Sequence, residues 1–149
     1  MREVTGNLWT YPNTDVRVIT TNGTVKRNGE CVMGRGCALE AKQRFPGIAA
    51  SLGLSVRCKG NIVSILSEDP LIVSFPVKHE WMEQADIQLI KVSARTLAAF
   101  ADLHGWKTIV MPRPGCGNGH LRWADVRPVL APILDDRFHV ITFGGNKHG

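Results

Sequence analysis

The sequence predicts an α/β protein in which a mostly parallel or mixed sheet is sandwiched by helices. Buried strands are predicted from short β-branched, apolar segments, at residues 16–21, 61–66, 71–75, 108–111 and 139–143. Helices are predicted from helix-forming or amphipathic segments, at residues 38–45, 86–103 and 123–134. Because strands and helices largely alternate after residue 75, most strands are expected to be parallel and joined by helical crossovers.

The first part of the chain predicts two strands and a long connection. The segment at residues 3–9 indicates an edge strand, which we expect to end at Gly6 within that segment. Residues 16–21 indicate a central strand. The central strand stops at Asn22-Gly23, which is a turn signal. Residues 24–30 are polar, and we expect them to form a mobile connection.

The middle of the chain predicts a helix and then a hairpin. Residues 38–45 are strong helix formers, and Pro46-Gly47 ends that helix. The next predicted element is the strand at residues 61–66, which turns at residues 67–70 into a second strand at 71–75. This spacing implies at least one antiparallel pair in the sheet.

The last part of the chain predicts the longest helix, a second helix and a final strand. Residues 86–103 carry an apolar stripe at Ile87, Ile90, Ala94, Leu97 and Ala101. Gly105 ends that helix. The helix at residues 123–134 is interrupted or bounded by Pro128 and Pro132, and residues 139–143 form the last strand.

Two glycine-rich loops lie between a strand and a helix. The strand at 108–111 is stopped by two prolines, and residues 115–119 then contain three glycines before the helix that starts near Trp123. A second loop at residues 32–37 opens the helix at 38–45. Such a loop is either a tight connection or an anion site, in which backbone N–H groups and the positive helix end converge on a phosphate. Leu39 replaces the third glycine of a dinucleotide-binding fingerprint, so we do not expect a Rossmann fold.

Four loop segments are expected to meet at one rim. They lie after strands, at residues 22–23, 78–79, 115–120 and 144–145. In open α/β sheets, ligands bind beyond the carboxyl ends of the strands. The sequence therefore predicts a ligand site at this edge.

Composition restricts the class of protein. The chain has 149 residues, which suits one domain at residues 1–149, and a net charge of +5 favours an anionic partner. The basic residues are scattered, so nucleic acid is compatible as a carrier of the substrate without being demanded. No apolar run reaches membrane-spanning length and the N-terminus lacks a signal peptide, so we expect a cytoplasmic protein with no membrane partner.

The cysteines and histidines do not form a metal-binding pattern. The four cysteines, at residues 31, 37, 58 and 116, include no Cys-x-x-Cys pair, and we expect neither a metal nor a cofactor. Cys37 and Cys116 lie in the glycine-rich loops. Each is either a nucleophile or a small side chain that fits a crowded turn.

Several motifs together resemble the macrodomains, the ADP-ribose-binding α/β modules. The resemblance runs from Gly6-Asn7-Leu8 through residues 18–22 and 32–39 to the loop at 115–119. The segment Ser74-Phe75-Pro76-Val77-Lys78-His79-Glu80-Trp81 is similar to the Phe-Pro-Thr-Lys-x-x-Trp segment of the antitoxin macrodomains that remove ADP-ribose from DNA. The terminal ADP-ribose protein glycohydrolases are more distant members with a comparable lysine. The resemblance implies a three-layer α/β/α macrodomain with a central mixed, largely parallel sheet.

The resemblance also implies residue roles. Lys78 matches the lysine credited with catalysis, Asn22 matches a contact to the distal ribose, and the two glycine-rich loops match those around the distal ribose and the diphosphate. The residues expected to bind ADP-ribose are Asn22, Val32, Met33, Gly34, Arg35, Gly36, Cys37, Ala38, Gly115, Cys116, Gly117, Asn118, Gly119 and His120. Asn7 stands where many macrodomains have an adenine-reading aspartate, and residues 24–30 are an insertion.

The expected activity is release of ADP-ribose from a modified nucleobase or protein side chain, without metal. Lys78 is expected either to protonate the departing group or, with a lowered pKa, to attack the anomeric carbon and form a Schiff base. His79 and His120 are auxiliary candidates for proton transfer. Two other functions remain open: a phosphatase acting on ADP-ribose 1″-phosphate, and a non-catalytic module that only binds ADP-ribose.

Overall fold

The computed structural model describes residues 1–143, in which six strands form one mixed sheet. The strands are β1 (Arg2–Thr5), β2 (Val16–Thr21), β3 (Ser64–Glu68), β4 (Leu71–Pro76), β5 (Ile109–Pro112) and β6 (Phe138–Thr142). Their order across the sheet is β1-β6-β5-β2-β4-β3. The pair β3–β4 is antiparallel and the other pairs are parallel, so the predicted mixed, largely parallel sheet is confirmed.

The four helices of the described residues pack on the two faces of this sheet. They are α1 (Gly36–Arg44), α2 (Ile48–Lys59), α3 (Ile87–His104) and α4 (Trp123–Leu130). One apolar core joins α3 and α4 to side chains such as Val18 and Phe75. A second core joins α1 and α2 to Ile19 and Ile72, which point to the opposite face. Because adjacent strand residues enter different cores, the sheet is covered on both sides and the predicted three-layer architecture is confirmed.

Helix α2 was not predicted, since no element was assigned to residues 48–60, where a glycine at residue 53 weakens the helical preference. Gly53 lies inside the helix for a packing reason. A Cβ atom at this position would lie 1.9 Å from the carbonyl oxygen of Gly29. The N–H of Cys31 also donates to the carbonyl of Ala49 at 2.9 Å. Helix α2 therefore supports the connection at residues 24–31, which is closed by a bridge between Val25 and Cys31.

Several predicted boundaries differ from those of the structure. The first strand ends at Thr5, because the chain turns at residues 6–11, where Tyr11 donates its N–H to the carbonyl of Asn7. Strand β3 begins at Ser64 and continues to Glu68, so the turn into β4 is confined to Asp69 and Pro70. Helix α4 ends at Leu130, because Pro132 has no N–H to continue the helical ladder.

Helix α3 agrees with its prediction. The Asp86 carboxylate caps it by accepting the N–H of Gln88 at 2.9 Å, and Gly105 ends it with a φ of +68°. Four of the predicted stripe residues are buried, namely Ile90, Ala94, Leu97 and Ala101. Within residues 1–143, no helix has both the length and the apolar character to cross a membrane.

Candidate functional site

A cleft of about 1240 Å³ lies at the carboxyl ends of β2, β4 and β5. Because β2 is paired with both β4 and β5, the loops that follow these three strands come together at one edge. Residues within the segments 20–26, 32–40, 77–83 and 112–120 line it, together with parts of the chain near residues 6–8 and 141–143. The geometry agrees with the expectation that ligands bind beyond the carboxyl ends of parallel strands.

The structure brings the residues predicted to bind ADP-ribose to this cleft. Those lining it are Asn22, Val32, Met33, Gly34, Arg35, Gly36, Cys37, Ala38, Gly115, Cys116, Gly117, Asn118, Gly119, His120 and, as the catalytic candidate, Lys78. The fourth predicted rim segment, residues 144–145, lies outside the described residues. That the lining residues bind ADP-ribose stays a prediction.

Asn22 fastens the first glycine-rich loop to the end of β2. Its side-chain amide donates from Nδ2 to the carbonyl of Val32 at 3.0 Å, and its Oδ1 accepts the N–H of Thr24 at 3.0 Å. The thiol of Cys31 donates to the carbonyl of Asn22 at 3.3 Å. These contacts hold Asn22 beside the loop that begins at Val32, although residues 24–30 separate the two in the sequence.

The two loop cysteines have the properties of packed side chains. The sulfur of Cys37 accepts the N–H of Thr20 at 3.4 Å, and burial raises the pKa of the Cys37 thiol. Burial also raises the pKa of the Cys116 thiol, to about 11. Because the thiolate is the nucleophilic form, a raised pKa leaves less of that form near neutral pH. The geometry favours the small-side-chain interpretation over nucleophilic catalysis.

The second glycine-rich loop packs too closely for side chains at Gly115 and Gly119. Gly115 has a φ of +77°, and a Cβ atom there would lie 2.9 Å from Ile90 of α3. A Cβ atom at Gly119 would lie 2.5 Å from the carbonyl oxygen of Gly115. The N–H of His120 donates to the carbonyl of Gly117 at 3.1 Å and closes a tight turn, in which His120 has a φ of +64°. Two of these glycines are therefore required by the fold of the loop itself.

Lys78 follows β4 and lies partly buried in the cleft wall. Its Nζ donates to the carbonyl of Trp81 at 3.2 Å, and its own carbonyl accepts Nδ2 of Asn61 at 2.9 Å. Burial, and then the positive charge of Arg35, lowers the pKa of Lys78. A larger fraction of this amine is therefore neutral, at any given pH, than for a lysine in water.

The two auxiliary histidines have different positions. His79 does not line the cleft; its exposed ring lies 2.8 Å from Oδ2 of Asp86, at the start of α3. This contact lowers the pKa of the Asp86 carboxyl. His120 lines the cleft and its side chain is exposed there. Of the two, the structure places only His120 where it would meet a bound ligand.

Sequence reasoning missed several further side chains of the cleft, among them Lys26, Trp81, Met82 and Arg113. Trp81 and Met82 are 47% and 64% exposed, so an apolar surface lies beside Lys78 at the mouth of the cleft. Trp81 belongs to the quoted motif, but only its exposure in the folded chain marks it as a contact surface. Lys26 comes from the insertion, which had been expected to be a mobile connection.

Two buried polar atoms belonging to cleft residues have no hydrogen-bond partner within residues 1–143. They are Oγ1 of Thr21 and Nε of Arg113. The Arg113 guanidinium stacks 4.8 Å from the centre of the Trp123 ring and lies 3.6 Å from Glu3. Buried polar groups are generally satisfied in native proteins, so these two atoms are exceptions within the described residues.

No protein-family model matches the chain, but individual proteins do. It is 26% identical to the DNA ADP-ribosyl transferase–DNA ADP-ribosyl glycohydrolase fusion protein of Thermosipho africanus, a match that covers 74% of this chain and 34% of the fusion protein. It is 28% identical to the DNA ADP-ribosyl glycohydrolase of Thermus aquaticus, over 91% of this chain and 38% of the relative. It is 24% identical to the bovine ADP-ribose glycohydrolase OARD1, over 89% of this chain and 82% of the relative. The chain thus spans little more than a third of the first two relatives.

Solved structures with the same architecture extend this likeness over nearly the whole chain. The macrodomain of Mycobacterium tuberculosis DarG superposes with a TM-score of 0.77 at 24% identity, covering 94% of this chain and 96% of that one. The macrodomain of Thermus aquaticus DarG gives a TM-score of 0.75 at 25% identity, covering 95% and 96%. Thermosipho africanus DarTG in complex with ADP-ribose gives 0.68 at 22% identity, covering 95% of this chain and 44% of that one.

Proposed function

From the premise that this chain has the macrodomain fold, we propose that it is an ADP-ribosyl glycohydrolase that releases ADP-ribose from a modified nucleobase, with Lys78 as the catalytic residue. The observation that carries the proposal is the position of the Lys78 amine: it lies in the wall of the cleft, next to Trp81, with a pKa lowered by burial and by Arg35. The names of the two bacterial relatives support a nucleic-acid substrate, and the name of OARD1 supports a glycohydrolase.

The proposed ligand lies between the two glycine-rich loops. Helix α1 begins at Gly36, so its N-terminal N–H groups and the positive end of its dipole favour a diphosphate. The loop at residues 115–120 offers further backbone N–H groups from the opposite side. Arg35 and Arg113 add positive charge to the same cleft. This assignment directs the distal ribose towards Asn22 and Lys78.

The proposed reaction uses either state of the Lys78 side chain. As an ammonium, it donates its proton to the departing base while water attacks the anomeric carbon. As a neutral amine, its lone pair forms a bond to the anomeric carbon while the bond to the base breaks and the base takes up a proton. Opening of the sugar ring then gives a Schiff base. Water hydrolyses this Schiff base, which releases ADP-ribose and restores the lysine, so the sum is hydrolysis in both cases.

Trp81 favours a nucleobase as the group that leaves. Its ring is 47% exposed and lines the same cleft as Lys78. Flat bases stack on exposed aromatic side chains. The net charge of +5 is also suited to a polyanionic carrier of the modified base. A cytoplasmic location and chemistry without a metal are parts of the same proposal.

One product assay tests the proposal. The protein is incubated separately with an ADP-ribosylated DNA oligonucleotide, an ADP-ribosylated protein and ADP-ribose 1″-phosphate, and the products are resolved by mass spectrometry. Free ADP-ribose together with the unmodified oligonucleotide is the expected result. Release of ADP-ribose from the modified protein alone would show that the substrate is a modified protein side chain and not a nucleobase. Inorganic phosphate from the third compound, or tight calorimetric binding of ADP-ribose with no product from any substrate, would contradict the glycohydrolase proposal.

A further inference from the structure

We propose that Thr24 is a positioning residue: its hydroxyl fixes residue 81, whose carbonyl holds the amine of Lys78. This inference rests on the proposed function of Lys78. It assigns a role to the insertion at residues 24–30, which comes from a distant part of the chain and packs beside the segment that carries the lysine.

The hydroxyl of Thr24 contacts two residues of the segment that follows Lys78. Its Oγ1 accepts a hydrogen bond from the N–H of Trp81 at 2.9 Å and donates a hydrogen bond to Oε2 of Glu80. The carbonyl of Trp81 accepts Nζ of Lys78 at 3.2 Å. A chain of three hydrogen-bonded groups thus runs from the insertion through residue 81 to the amine.

Apart from Thr24, residue 81 is restrained by a local turn, in which the N–H of Glu83 donates to the carbonyl of Glu80 at 3.1 Å and the N–H of Glu80 donates to Oε1 of Glu83 at 2.8 Å. The side chains of Trp81 and Met82 are 47% and 64% exposed, so burial contributes little to fixing this part of the backbone.

The neighbouring residues are held differently: the carbonyl of Lys78 accepts Nδ2 of Asn61, and the carbonyl of His79 accepts the N–H of Gly23 at 3.1 Å. Those bonds restrain the backbone at residues 78 and 79, and the turn restrains residues 80–83, whereas the hydroxyl of Thr24 joins residue 81 to a different part of the chain.

Thr24 itself is anchored on both sides of its peptide. Its N–H donates to Oδ1 of Asn22 at 3.0 Å, and its carbonyl accepts the N–H of Val32 at 3.0 Å. The rest of the insertion is closed by a bond from the N–H of Lys26 to the carbonyl of Glu30 at 2.8 Å and rests on helix α2 at Gly53. These bonds hold Thr24 and its hydroxyl in place. One of them is accepted by Asn22, which is itself the proposed ribose contact.

Glu80 sets the direction of this hydroxyl. A threonine hydroxyl has one proton and can accept from other donors. Because the hydroxyl donates its hydrogen bond to the Glu80 carboxylate, a lone pair of Oγ1 remains to accept the N–H of Trp81. Valine has the shape of threonine without either function, whereas serine keeps the hydroxyl and loses a methyl group. These two substitutions therefore separate the hydrogen bonds from the packing.

The test compares Thr24→Val with Thr24→Ser in the full chain. Thr96→Val is the matched control, because the Thr96 hydroxyl donates to the carbonyl of Val92 in the same helix, away from the cleft. Three quantities are measured: amide hydrogen exchange of Trp81 by NMR, the Kd of ADP-ribose by calorimetry, and kcat on the substrate identified by the product assay. For Thr24→Val we expect amide exchange of Trp81 to become about 10-fold to 100-fold faster and kcat to fall by a similar factor, as for a catalytic group that is misplaced by about 1 Å. The Kd should stay within about threefold, because these bonds restrain the amine rather than the proposed diphosphate site.

Thr24→Ser should restore both exchange protection and kcat to near those of the unmodified protein, and Thr96→Val should change neither. Unchanged exchange at Trp81 in Thr24→Val would overturn the inference, as would equal losses in Thr24→Val and Thr24→Ser. The exchange measurement does not require turnover. If the unmodified protein shows no activity, the proposed function fails, while loss of protection in Thr24→Val with recovery in Thr24→Ser still supports the link between Thr24 and residue 81.

Discussion

The carbonyl oxygen of Gly119 accepts the N–H of Ala85 at 3.0 Å. This bond joins the second glycine-rich loop to the segment that follows Lys78. Directly after Lys78, the N–H of Gly23 donates to the carbonyl of His79 at 3.1 Å. Both glycines are in close contact, since an added Cβ atom would lie 2.7 Å from Ala85 Cβ at Gly119 and 2.7 Å from the carbonyl oxygen of His79 at Gly23. Two glycines that are distant in sequence therefore both contact the segment that follows β4.

Replacing Gly119 by alanine tests this packing. The added methyl group would lie 2.5 Å from the Gly115 carbonyl oxygen, so the loop must move. We expect Gly119→Ala to lower the free energy of unfolding by about 1–3 kcal/mol, as overpacking does in other cores, and to weaken ADP-ribose binding. Urea unfolding and calorimetry measure the two effects. Gly34→Ala is the control, because no atom lies within 4 Å of an added Cβ there. Equal stability of the two variants would contradict the packing argument.

A negative charge in either glycine-rich loop should weaken the binding of an anionic ligand. Gly36 and Gly117 are both proposed to lie at the diphosphate, and glutamate at either position should reduce binding. Gly36 has a φ of +59°, so substitution there also strains the backbone, whereas Gly34 has open space around it. We therefore expect Gly34→Glu to weaken ADP-ribose binding about tenfold or more, and Gly34→Gln to weaken it much less, since only the former repels the diphosphate. The difference should shrink at high salt in calorimetry. Equal Kd values for the two variants would place the diphosphate elsewhere.

Removing the amine should abolish turnover without abolishing binding. For Lys78→Ala we expect kcat to fall by at least about 10²-fold, the low end of the contribution of a proton-transferring side chain. The Kd of ADP-ribose should change no more than a few-fold, because the glycine-rich loops remain. Lys59→Ala, at an exposed lysine at the end of α2, serves as the control for loss of one positive charge. Full activity of Lys78→Ala would exclude the proposed catalytic role.

The pH dependence of turnover should respond to Arg35. Burial is the larger cause of the lowered pKa of Lys78, and the charge of Arg35 is the second. Removing that charge in Arg35→Met favours the ammonium and therefore raises the pKa of Lys78, whereas Arg35→Lys keeps the charge. The limb of the kcat–pH profile that reports Lys78 should move to higher pH in Arg35→Met and move less in Arg35→Lys.

The slope of that limb also separates the two mechanisms. Activity rises with pH through the pKa of Lys78 if the neutral amine attacks, and it falls if the ammonium is the acid. A profile that is unchanged in Arg35→Met would show that the guanidinium does not act on Lys78.

Much of the fold was predictable because its strands and amphipathic helices are locally encoded. The segment 16–21 is continuous and β-branched, and the structure has β2 at the same residues. The stripe on α3 has the helical period and faces the core. Helix α2 was not predictable in this way, since Gly53 lowers its local helical preference and is required only by the nearby carbonyl of Gly29.

The sequence by itself determined the α/β class, the two glycine-rich loops and the candidate status of Lys78, because hydrophobic period, turn residues and motifs act over short stretches of chain. Only the tertiary structure decided that Thr24 contacts the segment after Lys78, that Trp81 is exposed beside it, and that the sulfur of Cys37 accepts the N–H of Thr20. These properties depend on which strands are neighbours in the sheet. The contact between Thr24 and Trp81, for example, joins residues 57 positions apart, and no local preference specifies it.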